Sequence, residues 1–178
     1  MKTRMLSVLG ILVIIATLTF VYFNNPKPIY GNDEASIIKL IRSVGYDEWA
    51  IEIVGIKDFE GNRIAAFLYN NMPGYALFTK NESGEYAWNH VEVRESENLS
   101  IFALIPDLQM FAIVTNVDNN VSKMEVTING EEVVQEFTPF VAEFSWLEIP
   151  TTTSNNIRFD NYKFYDENGE LLKSFDNN

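Results

Sequence analysis

The sequence lacks cysteine altogether and has a single histidine, His90. Without cysteine there are no disulfide bonds, no thiolate metal ligands and no cysteine nucleophile. One histidine is too few for most zinc sites and for a histidine relay within one chain. Neither a Gly-rich phosphate loop nor a Gly-x-Ser-x-Gly motif is present. We therefore expect no cofactor, no bound nucleotide and no metal.

Basic residues are also scarce, with 13 Lys and Arg against 25 Asp and Glu. Three of the basic residues, Lys2, Arg4 and Lys27, precede Tyr30, and no acidic residue does. The remainder therefore has 10 basic against 25 acidic side chains, a formal charge of about −15. Such a surface repels nucleic acids and anionic lipid headgroups, so nucleic acid is not an expected partner. The hydrophobic content of 47% is ordinary for a folded protein.

One long uncharged stretch is present, residues 5–23, which reads MLSVLGILVIIATLTFVYF. A helix of this length spans roughly 28 Å, close to the hydrocarbon thickness of a bilayer. Lys2 and Arg4 precede it, so the positive-inside rule places the N-terminus in the cytoplasm and sends the rest of the chain across. We expect residues 1–30 to form a cytoplasmic tip, a transmembrane anchor and a linker in a single-pass protein of the cell membrane.

Two other interpretations of residues 5–23 stay open. A cleaved signal peptide would have an apolar region of about 7–15 residues and a small-residue cleavage site. The stretch here is longer and ends in the bulky Phe20-Val21-Tyr22-Phe23, which favours an uncleaved anchor. A buried core helix is the third interpretation, and the uniformly apolar character of the stretch argues against it.

Residues 31–97 are predicted to form a short amphipathic helix and a four-stranded antiparallel meander. The helix is predicted to begin at Asn32 as the N-cap and to end at Gly45. Its apolar face comprises Ile37, Ile38, Leu40, Ile41 and Val44. Strands bounded by turn signals are predicted at 50–57, 63–70, 75–80 and 85–93. Because residues 64–69 are apolar in both phases, their strand is predicted to be central and covered on both faces.

Residues 98–178 follow the polar stretch 94–98 and are predicted to form an immunoglobulin-like β-sandwich. Seven short strands at roughly ten-residue spacing indicate this architecture. They are predicted near 99–105, 110–117, 121–128, 131–137, 141–149, 157–165 and 170–175. Asn129-Gly130 predicts a tight hairpin between the third and fourth of them.

Alternating apolar residues assign the inward faces of this sandwich. One inward face is predicted from Met124, Val126 and Ile128, and another from Ala142, Phe144 and Trp146. In the sixth strand the apolar phase switches between Phe159 and Tyr162. We therefore expect a bulge near Asp160-Asn161 that absorbs the one-residue slip.

The predicted fold is thus mainly β, of the α+β class. It comprises an anchor with its linker (1–30), a helix on a meander (31–97) and a sandwich (98–178). This order, with the segments YALFTKNESGEYAW and VSKMEVTING…FSWLEI…NYKFYDENGELL, resembles uncharacterised single-anchor extracytoplasmic proteins of Gram-positive bacteria. The closing turn 165–170 is similar to the last hairpin of many bacterial immunoglobulin-like modules. The resemblance implies a place in the cell envelope and brings no activity with it.

One candidate ligand-binding patch lies on the predicted strand 85–93. Tyr86, Trp88 and His90 share one strand phase in EYAWNHVEV. Two aromatic rings could stack on a sugar or a peptide while the imidazole donates a hydrogen bond. The alternative is that the aromatic residues pack against the helix, as aromatic residues in strands commonly do.

Carboxylate chemistry is the remaining possibility for catalysis or metal binding. A glycosidase-like hydrolase needs two carboxyl groups across a cleft, one of them with a raised pKa. Calcium could be bound by Asp118, Asn119 and Asn120. Residues 164–175 do not fit an EF-hand loop, because Phe164 and Phe175 stand at its first and twelfth positions, which require oxygen ligands. No catalytic residue can be assigned from these patterns.

The sequence therefore favours a membrane-anchored extracytoplasmic binding or interaction module without catalytic activity. Its expected partners are the membrane, through the N-terminal helix, and an envelope or membrane protein. The alternative is a small cell-envelope hydrolase that uses paired carboxylates.

The anchor interpretation predicts how the full-length protein fractionates. We expect it to stay with membranes after alkaline carbonate extraction, because an uncharged helix of this length is stable only in lipid. Protease added outside intact cells should digest everything after the anchor. Mass spectrometry of the N-terminal peptide provides the control, since an intact Met1 marks an anchor. A shortened chain in the soluble fraction would instead identify a cleaved signal peptide.

Overall fold

The computed structural model describes residues 28–103, 110–150 and 157–175, together with Thr17 and Thr19. Apart from these two threonines, the predicted anchor over residues 5–23 lies outside the described residues. Within the described part, no helix is long and apolar enough to cross a membrane.

The described ranges contain one amphipathic helix of ten residues and eleven strands. The helix, α1, spans Glu34–Ser43. The strands are β1 (Ile51–Phe59), β2 (Asn62–Tyr69), β3 (Met72–Lys80), β4 (Tyr86–Val93), β5 (Leu99–Ala103), β6 (Met110–Thr115), β7 (Lys123–Ile128), β8 (Glu131–Glu136), β9 (Glu143–Glu148), β10 (Phe159–Tyr165) and β11 (Leu171–Phe175). Each strand falls within or close to a predicted range, because the turn signals between them are strong.

All strand pairs are antiparallel, and they form three sheets. The first sheet is the predicted meander, with the order β1-β2-β3-β4. The other seven strands form one sheet in the order β5-β6-β9 and another in the order β11-β10-β7-β8. These two sheets enclose one buried apolar cluster and so form a sandwich. The prediction of a mainly β chain with one short helix, antiparallel sheets and a β-sandwich is confirmed.

Helix α1 begins one residue later than predicted. Asp33, not Asn32, is the N-cap: its Oδ1 accepts from the backbone N–H of Ser36 at 2.8 Å, and its own N–H donates to Ser36 Oγ at 3.0 Å. The Asn32 side chain accepts from the backbone N–H of Tyr86 instead. The helix ends where Gly45 takes a φ of +114°, as predicted.

The chain stacks in four layers, and the two inner layers are covered on both faces. Helix α1 covers one face of the meander with Ile37, Leu40 and Ile41, each no more than 1% exposed. The opposite face of the meander packs against the outer face of sheet β5-β6-β9 in one shared cluster. The inner face of that sheet covers the fourth layer, β11-β10-β7-β8. Strand β2 is therefore buried on both sides, as its two apolar phases predicted.

One predicted face has the wrong orientation. Ala142, Phe144 and Trp146 pack against the meander and not into the interior of the sandwich. Leu147 and Ile149, in the other phase, point into the interior. The inward phase of β9 begins with Glu143 and Ser145 and becomes apolar only at Leu147, whereas Phe144 and Trp146 give the outward phase the clearer alternation. Because the sheet β5-β6-β9 is covered on both faces, its more apolar phase does not mark the interior of the sandwich.

Two local features of the sandwich confirm the sequence prediction. In β10, Asp160 pairs with Thr127 but Lys163 pairs with Glu125, so β10 has one extra residue there. Because of this bulge, the apolar side chains before it and after it face the same buried cluster. Asn129 and Gly130 have φ angles of 54° and 88°, as a tight hairpin of type I′ requires.

The predicted boundary at residues 97 and 98 falls in the turn between β4 and β5. The cluster shared by the meander and the sandwich includes Leu68 and Leu77 from one side and Phe102 and Val114 from the other. The division into two domains stays a prediction.

The packing of α1 predicts a large cost for truncating its buried face. Leu40→Ala should lower the free energy of unfolding by about 2–5 kcal/mol, because a fully buried Leu leaves a cavity between the helix and the meander. Urea denaturation followed by tryptophan fluorescence measures this loss. Lys39→Ala, at the exposed neighbouring position, is the control and should change stability little. Equal effects of the two substitutions would contradict the observed orientation of the helix.

Candidate functional site

A bulge in β4 separates the residues of the predicted patch. Trp88 pairs with Phe78, whereas His90 pairs with Leu77, so Asn89 is an extra residue. Phe78 belongs to the face covered by α1, and Leu77 belongs to the opposite face. Tyr86 and Trp88 therefore lie on the helix side of the meander and His90 on the other side. The three side chains therefore do not form one ligand-binding patch. Each of them, taken alone, remains a residue that could contact a ligand.

Tyr86 belongs to a cluster centred on Arg63. The Arg63 guanidinium lies 4.0 Å from the centre of the Tyr86 ring and donates to both carboxylate oxygens of Asp58, at 2.6 and 2.8 Å. Its Nη1 donates to the carbonyl oxygens of Gly31 and Asn32. The Tyr86 hydroxyl donates to Asp58 at 3.0 Å. This cluster fixes the segment before α1 to the meander, which is a structural role.

The close fit of that segment depends on Gly31. Its N–H donates to the carbonyl oxygen of Tyr86 at 2.8 Å. A Cβ at this position would lie 2.3 Å from the buried ring of Phe78. Only glycine therefore allows the backbone to approach the meander here.

The charged groups of this cluster shift one another's pKa. The hydrogen bonds from Arg63 lower the pKa of Asp58 against the opposing effect of burial. The same pair raises the pKa of the Arg63 guanidinium. Burial, and then the hydrogen bond to Asp58, raises the pKa of the Tyr86 hydroxyl. The arrangement stabilises a fixed ion pair and offers no proton donor near neutral pH.

The other two residues of the predicted patch are exposed. The Trp88 side chain is 46% exposed. His90 lies 5.5 Å from the Tyr75 ring, between centroids, and its Nε2 lies 3.4 Å from Glu92 Oε2. Glu92 also contacts Arg94 Nε at 2.7 Å, so this carboxylate lies between an imidazole and a guanidinium group. Contacts of this type order an edge strand and do not assemble a nucleophile with a base.

The loop with the proposed calcium ligands has another role. Both amide atoms of the Asn119 side chain bond to the backbone of Val121, and the residue is 1% exposed. The Asp118 carboxylate accepts a hydrogen bond from the Asn71 side chain at 2.5 Å. Over the described ranges, no group of three or more His, Asp or Glu residues could hold a metal ion. The asparagines brace the loop instead.

The larger cavity described has a volume of about 710 Å³ and lies between β5 and β11. We call it the edge groove, because β5 and β11 are edge strands of the two facing sheets. Its apolar lining is Leu99, Ile101, Val121, Phe164, Leu172 and Phe175, and its polar lining is Arg94, Ser96, Glu97, Asn98, Asn119, Asn120 and Lys173. The edge groove thus combines an apolar floor with polar ends and two cationic side chains.

A second bulge shapes the edge groove. Phe164 pairs with Lys173 and Tyr165 with Leu171, so Leu172 is an extra residue of β11. Leu172 lines the groove and is 41% exposed, whereas Leu171 is 54% exposed and does not line it. No pattern in the sequence indicates this groove, because its walls are about 70 residues apart in the chain.

Hydrogen bonds hold several carboxyl groups of the described residues in the ionised form. Glu97 is the one acidic side chain that lines the edge groove, and its Oε2 accepts from Ser100 Oγ at 2.7 Å. Elsewhere in the described ranges four carboxyl groups have a shifted pKa, and hydrogen bonds lower each of them: Asp33, Asp58, Glu125 and Asp166. A hydrolytic general acid requires a raised pKa.

Comparison of the chain with models of protein families, with curated proteins and with solved structures finds no match. Function must therefore be argued from the described surfaces alone.

The ion pair at Arg63 predicts an acid-dependent contribution to stability. Because folding lowers the pKa of Asp58, its ionised form stabilises the protein above the ordinary value of 3.8, and this contribution is lost as the pH falls through the lower folded-state pKa. Asp58→Asn should therefore lower the melting temperature at pH 7 and have little effect at pH values well below 3.8. Asp47→Asn, an exposed position after α1, is the control at both pH values. An equal loss for Asp58→Asn at both pH values would exclude the electrostatic explanation.

Proposed function

We propose that this protein is a membrane-anchored, extracytoplasmic interaction module that holds a segment of an envelope or membrane protein in its edge groove. The observation that carries the proposal is the groove itself, an open channel between two edge strands with both apolar and polar residues in its lining. Edge strands present unpaired backbone groups, which an extended peptide can bond while its side chains fill the apolar floor.

The finer assignment of the sandwich as immunoglobulin-like belongs to this proposal. Counted along the sandwich, its first, second and fifth strands form one sheet, and its third, fourth, sixth and seventh form the other. Immunoglobulin-type sandwiches divide their strands in a related way. Such modules commonly act as adaptors, although this analogy concerns the fold and not the site.

The proposed location has separate support. The uncharged stretch 5–23 and the preceding Lys2 and Arg4 favour an anchor with a cytoplasmic N-terminus. The segment that follows it reaches the folded part at Gly31, where Arg63 fixes it. The net charge of about −15 after Tyr30 disfavours adsorption of the folded part to anionic lipid.

Paired substitutions on β11 test the role of the edge groove. The tagged full-length protein is cross-linked mildly in its own membranes and recovered, and mass spectrometry identifies the partner recovered with it. We expect Leu172→Arg to abolish recovery of this partner. A cation at this position would be buried by any occupant of the groove, at a cost of several kcal/mol. Leu171→Arg makes the same change at the adjacent exposed position outside the groove and should leave recovery unchanged.

Thermal unfolding of both variants shows whether each is folded. Loss of the partner with both variants, or with neither, would contradict binding in the groove. If the chain is cleaved and released from the membrane, the proposed location is contradicted, but the proposal that the edge groove binds a partner is not.

A further inference from the structure

Three exposed apolar side chains lie on two neighbouring loops of the sandwich, which are hydrogen-bonded to each other. Val117 is 51% exposed, Phe140 60% and Val141 45%. Val117 belongs to the loop between β6 and β7, and the other two precede β9. We call these three residues the apolar tip. It lies toward the β8 and β9 edges of the sandwich, and the loop that carries Val117 continues through Asn119, Asn120 and Val121 into the lining of the edge groove.

The backbone at Phe140 is strained. Its φ is +63°, in the left-handed region that bulky side chains avoid. Seven non-glycine residues in the described ranges have a positive φ, and four of these are Asn, the residue that tolerates this region best. Phe140 is the one aromatic residue among the seven. A residue that is both strained and exposed contributes little to folding, and such outliers concentrate at binding sites.

The loops that present the tip are rigid. The Phe140 N–H donates to the carbonyl oxygen of Asn119 at 2.6 Å. Thr115 Oγ1 donates to the carbonyl oxygen of Val141 at 3.0 Å and accepts from the N–H of Glu143 at 3.1 Å. Thr115 and Asn119 are each 1% exposed. Buried polar side chains therefore hold the two loops together, so the tip is formed before any partner arrives.

The apolar tip and the segment at Gly31, which follows the proposed anchor, lie near opposite ends of β2. Arg63, near the start of β2, binds the segment at Gly31. Asn71, just after the end of β2, binds the loop of the tip through Asp118. The eight residues of β2 separate these two ends by roughly 26 Å. With the anchor proposed above, the tip faces away from the membrane.

Charge around the tip restricts what can cover it. Residues 116–122 and 136–143 include Asp118, Glu136 and Glu143 and no Lys or Arg, and the nearest cation along these strands is Lys123, which pairs across the sheet with Glu136. Anionic lipid would be repelled, and a second copy would bring two acidic rims together. A partner surface with Lys or Arg around an apolar pocket would complement both features.

We propose that the apolar tip inserts into an apolar pocket, rimmed by Lys or Arg, on a second protein that approaches from the side away from the membrane. The three side chains of the apolar tip do not line the edge groove, although the tip and the groove share the loop that contains Asn119. Only the direction of approach rests on the proposed anchor.

The first test is stability, which requires no knowledge of the partner. Phe140→Asn in the full-length protein should leave the melting temperature unchanged or raise it by about 2–4 °C, because Asn tolerates the left-handed backbone and little buried surface is lost. Val134→Asn, at an exposed apolar position on β8, is the control. A lower melting temperature for Phe140→Asn than for this control would mean that the ring serves the fold, and would overturn the proposal.

The second test locates the contact. The photoreactive residue p-benzoylphenylalanine replaces Phe140, or Val134 as the control, in the full-length protein in its own membranes. We expect a discrete protein adduct from position 140 alone, mapped by mass spectrometry to a partner segment that contains Lys or Arg. Asp118→Lys should reduce this adduct about tenfold, whereas Glu82→Lys, in the turn between β3 and β4, should not.

Each other outcome of the second test overturns the proposal. These outcomes are lipid adducts, adducts between two copies of the chain, equal adducts from both positions, no adduct at all, or insensitivity to Asp118→Lys. Because the tip experiments change neither Leu172 nor Leu171, a failure of the tip proposal does not contradict binding in the edge groove. A negative result with the Leu172 and Leu171 variants likewise does not contradict the tip proposal.

Discussion

Strand β2 packs Ala65 and Phe67 against helix α1, and Ile64, Ala66 and Leu68 against the sheet β5-β6-β9. Each of these five side chains is at most 3% exposed. Such a strand cannot fold into a stable meander alone, because one face would stay in water. Burial of both faces therefore requires the helix on one side and the sandwich on the other, and it fixes the order of the four layers.

Close approach of the meander to the sandwich depends on a glycine at one place. At Gly55 a Cβ would lie 2.9 Å from the Phe144 ring, so glycine lets β1 approach β9 of the next layer. The bulge between Ile53 and Gly55 turns Val54 to the same side, where it joins the shared cluster. Lys57 then lies 4.6 Å from the Trp146 ring centre and covers the rim of this interface with its aliphatic chain. The interface is continuous because the Phe144 ring packs directly on the backbone of Gly55.

Most of the fold was predictable, whereas the sites were not. Turn residues and apolar alternation predicted every strand, and the phase switch between Phe159 and Tyr162 predicted the bulge in β10. The same switch occurs in β4 between Trp88 and Val91, but His90 appeared to continue the first phase and suggested one patch with Tyr86. In β9 the aromatic residues Phe144 and Trp146 mark the face that packs against the meander, and the inward phase contains Glu143 and Ser145, so the inward face was assigned wrongly. The edge groove and the apolar tip each join segments distant in the chain, and only the paired sheets bring those segments together.

The shared cluster also bears on how this chain can be divided by genetic engineering or by gene rearrangement. A cut at residues 97 and 98 separates a helix and meander from a sandwich that look independent in sequence. Each fragment would carry one apolar half of the cluster, with Tyr75 and Leu77 on one and Phe102, Phe144 and Trp146 on the other. Large exposed apolar patches of this kind promote aggregation. The recognisable sandwich is therefore a poor unit for transplantation into another protein unless these outer residues are replaced by polar ones.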